Sequence, residues 1–334
     1  MEDNPRIPME KAGKIIRRSI YIFFQNYQYF TSIAAFLAFP FSVSIMLSLA
    51  LVPSSTSLLP TIYNRLENLF NAAGFPPSSE FFRFLNLKLS QTISSSIFTL
   101  PFTLTFFLFS KASVIQALNQ YKPTSPHSFS SFISIFNPLL LTHICNSILI
   151  ISANATAFCL LFLSFNFLEG FGFSSRNSLL LLSAAGVVLY SVLLANALII
   201  CNLSLVLSGT ERSGGYLAIL KACVMIRGRT STALSLALPV NLSLTGIEAL
   251  FQHRIVRASH IGQTPTSLMA LEGMLIAYLY SIFLVLDTIA TFIFFKSCKA
   301  SSCIDQKGRY AYRVEIVEED NAGYVSLKVS QELP

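Results

Sequence analysis

Nothing formally charged occurs from Ser19 to Asn64, and this run narrows the possible folds more than any other feature. Four more uncharged runs follow: Leu89 to Ser110, Pro123 to Leu168, Asn177 to Thr210 and Thr230 to Ile247. A last apolar stretch, Leu268 to Phe295, is broken after Gly273 only by Asp287. A helix needs about 20 apolar residues to cross a hydrocarbon core. The expected spans are therefore roughly Tyr29–Val52, Leu89–Ser110, Pro138–Leu163, Ser178–Leu207, Ser231–Leu250 and Gly273–Phe295. Charged residues make up 12% of the chain, against about 25% in soluble domains. A soluble helical protein would still need charged outer faces on its helices. The predicted class is an all-α, polytopic membrane helix bundle of about six transmembrane helices with basic amphipathic interfacial helices.

The flanks give the organisation. Residues 1–28 form a polar tail and an amphipathic helix, 29–296 the six-span domain, and 297–334 a C-terminal tail. In the first segment Ile15, Ile16, Ile20, Phe23 and Phe24 recur at helical spacing beside Lys11, Lys14, Arg17 and Arg18. Such a helix can lie in the interface with its cations near anionic headgroups, or serve only as a topology anchor. Tyr216 to Arg229 repeats the arrangement, with Lys221, Arg227 and Arg229 beside an apolar stripe. Between spans one and two, Leu58 to Ala73 predicts an amphipathic helix on the opposite surface. Pro40, Pro101 and Pro239 each remove a donor inside a span and should bend it. Beyond span six, Cys298 and Cys303 are candidate palmitoylation sites. The tail from Tyr310 alternates in places and is expected to form a hairpin or stay disordered.

Charge sets the expected orientation. With six spans both termini share a side, and that side carries 17 Lys and Arg against 6 on the other. The positive-inside rule then places both termini in the cytosol of a multi-pass protein of the plasma membrane or an endomembrane. The net charge of +7 lies in segments flanking spans, so it predicts the lipid bilayer and no nucleic acid as partner. The candidate lipid-headgroup contacts are Lys14, Arg17, Arg18, Lys221, Arg227 and Arg229. One segment runs against the rule: Phe251–Ser267 falls outside yet carries Arg254 and Arg257.

Asp287 is the chain's best single clue to function, because a carboxylate inside a span is costly and needs a partner. At 1.5 Å per residue it lies roughly 12 Å in from the cytosolic end of its span. His143, Asn146, Asn202 and Asn241 fall near the same depth by the same reckoning. They read either as a polar site for a cation, proton or lipid headgroup, with His143 and Asp287 as the titrating pair, or as hydrogen bonds joining helices.

Motifs of chemistry are missing. There is no P-loop, G-x-G-x-x-G, H-E-x-x-H or G-x-S-x-G. No two of the six cysteines form a CxxC pair, so neither a metal nor a dithiol site is expected. Glu248 and Glu272, at the outer ends of spans five and six, could clamp a cation or reach to the interface. No enzyme activity and no cofactor are predicted.

The basic entry KAGKIIRRSIYIFF (Lys11–Phe24), the proline-bent first span and YLAILKACVMIRGR (Tyr216–Arg229) together resemble a plant family of six-span integral membrane proteins of unknown function. That family is in turn distantly similar to the membrane domain attached to some glycerophosphodiester phosphodiesterases. The resemblance implies fold and membrane residence but no catalytic residue, because the phosphodiesterase domain is absent. Two functions fit: a non-enzymatic membrane organiser or adaptor with protein partners or a second copy, or a small transporter or channel using the layer around Asp287.

Overall fold

The computed structural model describes residues 12–52, 58–72, 80–119, 129–170, 176–257 and 267–319. Among them the secondary structure is entirely helical. Six helices are long and apolar enough to cross a membrane: Tyr27–Leu51, Arg83–Asn119, Ser134–Leu161, Ala184–Glu211, Thr230–Val256 and Ser267–Ala300. Each overlaps the span expected from the sequence.

Ala12–Gln25 forms helix α1, which presents Ile15, Ser19 and Phe23 to the interior. Their spacing of four places them on one face. The first span, α2 (Tyr27–Leu51), opens into a π-helical turn at Ala34–Ala38. That wider turn comes immediately before Pro40, where the missing N–H and the ring crowd the preceding carbonyl. The loop helix expected between spans one and two is present as α3 (Leu58–Ala72), with Phe70 buried against Phe158.

The second span is longer than its uncharged run. Helix α4 runs from Glu80 to Phe102, passes through a π-helical turn at Thr103–Phe107 and continues from Leu108 to Asn119. Thr103 and Thr105 hydroxyls donate to the carbonyls of Thr99 and Pro101, at 2.9 and 2.7 Å. Both are bonds from a hydroxyl back to the carbonyl four residues earlier, a pattern that accompanies bends in a helix. Spans one and two are tied by the Ser48–Ser95 hydroxyl pair at 2.7 Å and by Phe41 against Phe107.

Helices α5 (Phe129–Gly170) and α6 (Arg176–Glu211) carry spans three and four and pack along each other. A tight turn then leads into the short helix α7 (Tyr216–Ile226), which lies against both. At Gly214 a Cβ would fall 2.7 Å from the Pro138 Cα, so only glycine permits the approach to α5. Gly215 has φ +75° and donates its N–H to Thr142 Oγ1 at 2.8 Å. The turn is thus clamped onto the start of the third span.

Span five, α8, begins as Thr230–Phe251 and ends in a π-helical turn, Gln252–Val256. It meets spans one and six in a core of Met46, Ile247, Phe251, Ile276, Ala277 and Tyr280. The last helix, α9, runs from Ser267 to Glu319. Its helical course past residue 310 replaces the hairpin or disorder expected there. Residues Lys11–Phe295 form one compact unit, and Lys296 onward belongs to another. The polar layer described below belongs to the first.

At the far end of spans five and six, the two carboxylates have separate partners. Tyr280 donates to Glu248 at 3.0 Å, and Arg254 Nε donates to Glu272 at 2.7 Å. Arg254, whose charge ran against the orientation rule, is thereby neutralised on the protein surface.

Candidate functional site

The residue that organises the polar interior is Lys111, which lies just past the uncharged run of span two, where a cation reads as a flank. The helix does not stop at Ser110. It continues to Asn119, leaving Lys111 roughly 12 Å inside the helix end at 1.5 Å per residue. Asp287 lies at the same depth below Phe295. Lys111 is 3% exposed, so the ammonium is inside the bundle.

Three neighbours receive it. Its Nζ donates to Asn202 Oδ1 at 3.1 Å. The same Nζ lies over the Phe107 ring, 4.8 Å from the centroid. Phe107 and Lys111 are four residues apart, so they share a helix face. The charge of Lys111 also acts on Asp287. No direct ion pair forms between them; Asp287 and Asn202 instead border a cavity of about 30 Å³ between spans four, five and six. That volume suits about one water molecule. Among the described residues, no side chain donates directly to the Asp287 carboxylate.

The π-helical turn explains how Lys111 comes to face Asn202. One extra residue in the turn rotates everything beyond it by about 100° relative to a continuous α-helix. Phe107 closes that turn, so its ring and the lysine beyond it are set by the irregularity rather than by regular periodicity.

A second polar clamp lies between spans three and four. Asn146, 2% exposed, donates through Nδ2 to the Cys201 carbonyl at 3.0 Å. Its Oδ1 accepts from Ser204 Oγ at 3.0 Å. The adjacent residue Asn202 takes the lysine, so one turn of span four serves both clamps.

The other predicted residues are placed as follows. His143 is half-buried with its ring edge toward Phe107, at 6.3 Å between centroids. It neighbours Lys111 across that phenyl ring, and the charged neighbour of Asp287 is the lysine rather than this histidine. Asn241 is exposed on the outside of span five and is not part of the layer. Lys14, Arg17 and Arg18 are exposed along α1. Lys221 forms an ion pair with Glu211 at 3.0 Å, and Arg227 is exposed while Arg229 is half-buried. Cys298 is completely buried in this conformation. The Cys303 side chain lies outside the described residues.

The arrangement can hold charge inside a helix bundle, since a lysine, an amide and a carboxylate from three spans offset one another's desolvation. Comparison with curated proteins and with solved structures gives no match. Residues 10–332 match the family described as "Domain of unknown function (DUF8558)", and the chain belongs to that family.

Proposed function

We propose that this multi-pass membrane protein is a non-enzymatic organiser or adaptor, working through contacts with lipid and with other helices, and that its intramembrane polar layer holds the bundle together. The observation that carries this reading is the use to which the layer is put. Lys111, Asn146, Asn202 and Ser204 bond between spans, and the cavity beside Asp287 accommodates about one water molecule. A solute path needs more room than that. The excess of cations on one side supports an orientation with both termini in the cytosol.

One observation favours the second reading, a small transporter or channel: the Asp287 carboxylate borders the cavity without a direct donor. A single experiment separates the two. Asp287→Cys is placed in a variant lacking the native cysteines, and a membrane-impermeant thiol reagent is added from the cytosolic side. The organiser reading expects no labelling in folded, inserted protein. Labelling at the rate of an exposed thiol would mean that water reaches this depth, and the transporter reading would replace it.

A further inference from the structure

Helix α1 carries three distinct stripes around its circumference. At about 100° per residue, Ile15, Ser19 and Phe23 fall in one sector, Ile20 and Phe24 in the next, and Arg17, Tyr21, Lys14 and Arg18 in the third. The first stripe is buried in the bundle. The second is exposed and apolar, with Phe24 at 65%. The third lines one open concavity on the protein surface, formed by Lys14, Arg17, Arg18 and Tyr21.

This order has a direct meaning at a bilayer. A helix packed on the protein by one stripe and exposing an apolar second stripe lies in the plane of the interface, with that stripe among acyl chains. The neighbouring basic stripe is then held at headgroup level, where long cationic side chains extend toward phosphate. The other basic helix, α7, shares only half of this design. It exposes Tyr216, Leu217, Leu220 and Val224, but Lys221 at the edge of that stripe is paired with Glu211. We infer that the α1 concavity is a docking site for the headgroups of anionic phospholipids.

The inference rests on the membrane-organiser reading and names its lipid. The chain contains no tryptophan, so Phe24→Trp installs a single fluorescent reporter beside the concavity. The full-length reporter protein is reconstituted into phosphatidylcholine bilayers with equal fractions of either dibrominated phosphatidylserine or dibrominated phosphatidylcholine. Quenching is expected to be several-fold stronger with the anionic lipid and to fall as salt rises. Neutralising Lys14, Arg17 and Arg18 together to Gln should abolish the preference at low salt, while K221Q should leave it intact. Soluble inorganic phosphate at matched concentration should not displace the lipid.

Equal quenching by the two lipids would overturn the inference, as would a preference that survives in the triple Gln variant. Displacement by inorganic phosphate would point to a site for the free anion and overturn it also. So would a preference seen only after Glu318, Glu319 and Asp320 are changed to Gln, since the tail would then be the occupant. The accessibility of position 287 is read in the bundle interior and does not depend on any of these results, so failure of one reading leaves the other testable.

Discussion

Lys111 of the second span donates to Asn202 of the fourth at 3.1 Å, with the Phe107 ring under the same ammonium. Neither contact neutralises the positive charge, and Asp287 of the sixth span is the carboxylate whose field reaches it. The three spans are therefore coupled through one charge balance. Removing one charge should harm the bundle far more than removing both.

The first prediction follows from that asymmetry. Lys111→Met leaves Asp287 uncompensated and is expected to destabilise the protein by roughly 3–5 kcal/mol. Asp287→Leu should do similar damage for the reciprocal reason. The double variant should recover much of the loss, with a coupling above about 1 kcal/mol. Thermal unfolding of the detergent-solubilised protein measures this cycle. Additive losses would mean that the two charges do not interact.

The amides differ in a way that periodicity alone does not reveal. Asn146→Ala removes bonds to Cys201 and Ser204 and should cost about 0.6–2 kcal/mol per bond. Asn241→Ala should change stability by less than about 0.5 kcal/mol, because its side chain is exposed and its loss opens no cavity. Both variants can be ranked in the same unfolding assay, and a larger loss at Asn241 would contradict the assigned faces.

The apolar helices, their number and the amphipathic helices between them were legible because each rests on length, charge-free runs and helical spacing, which no tertiary contact has to supply. The polar layer was legible only in part. Asp287, Asn146 and Asn202 announced themselves as polar groups at one depth. Lys111 did not, because a cation at the edge of an apolar run reads as a flank. The available signal was the continuation Ala112 to Asn119, two helical turns with no breaker and no further charge. Its facing was beyond reach, since a π-helical turn displaces the register that periodicity assumes. Asn241 failed for the complementary reason: depth along a helix is set by counting, whereas the side it faces is set by packing.

The turn before α7 gives a steric prediction. Gly214→Ala puts a Cβ 2.7 Å from the Pro138 Cα, against backbone that cannot swing aside. A loss of about 1–3 kcal/mol is expected from such overpacking. Gly215→Ala places a side chain at φ +75° and should cost about 1 kcal/mol. Gly228→Ala, also at positive φ but with open space around it, provides a control for backbone strain without a clash. If Gly214→Ala proves no worse than Gly228→Ala, the turn does not dock on α5 as closely as described.

Thiol chemistry tests the packing near the membrane surface. Cys201 and Cys298 are buried and should resist maleimide in the folded protein, while Cys223 is exposed on α7 and should react. Partial burial pushes the Cys223 thiol above its ordinary range. Less thiolate is then present at pH 8 than in the unfolded chain, so denaturation should accelerate labelling there, and raising the pH should accelerate it in the folded state. Any palmitate on the folded chain should be carried by Cys303, and Cys298→Ala should leave acyl labelling unchanged. Rapid modification of Cys298 without denaturant would show that the helix opens at that point.

Orientation is the last prediction, and it bears on how the α1 variants are interpreted. With Lys111 inside the bundle, the near side keeps 16 Lys and Arg against 6 on the far side. Neutralising Lys14, Arg17 and Arg18 leaves 13, still a twofold excess, so insertion should keep the same direction. Arg254 needs no compensation in this count, because it is paired with Glu272 at the surface, and Arg254→Gln should cost less than about 1 kcal/mol. A glycosylation acceptor fused to either terminus should remain unmodified in the wild type, in the triple Gln variant and in Arg254→Gln. Modification in the wild type would reverse the orientation and move the α1 cations to the outer leaflet. Modification only in the triple variant would show that α1 sets the topology, and loss of lipid selectivity there would then reflect inversion rather than loss of a headgroup site.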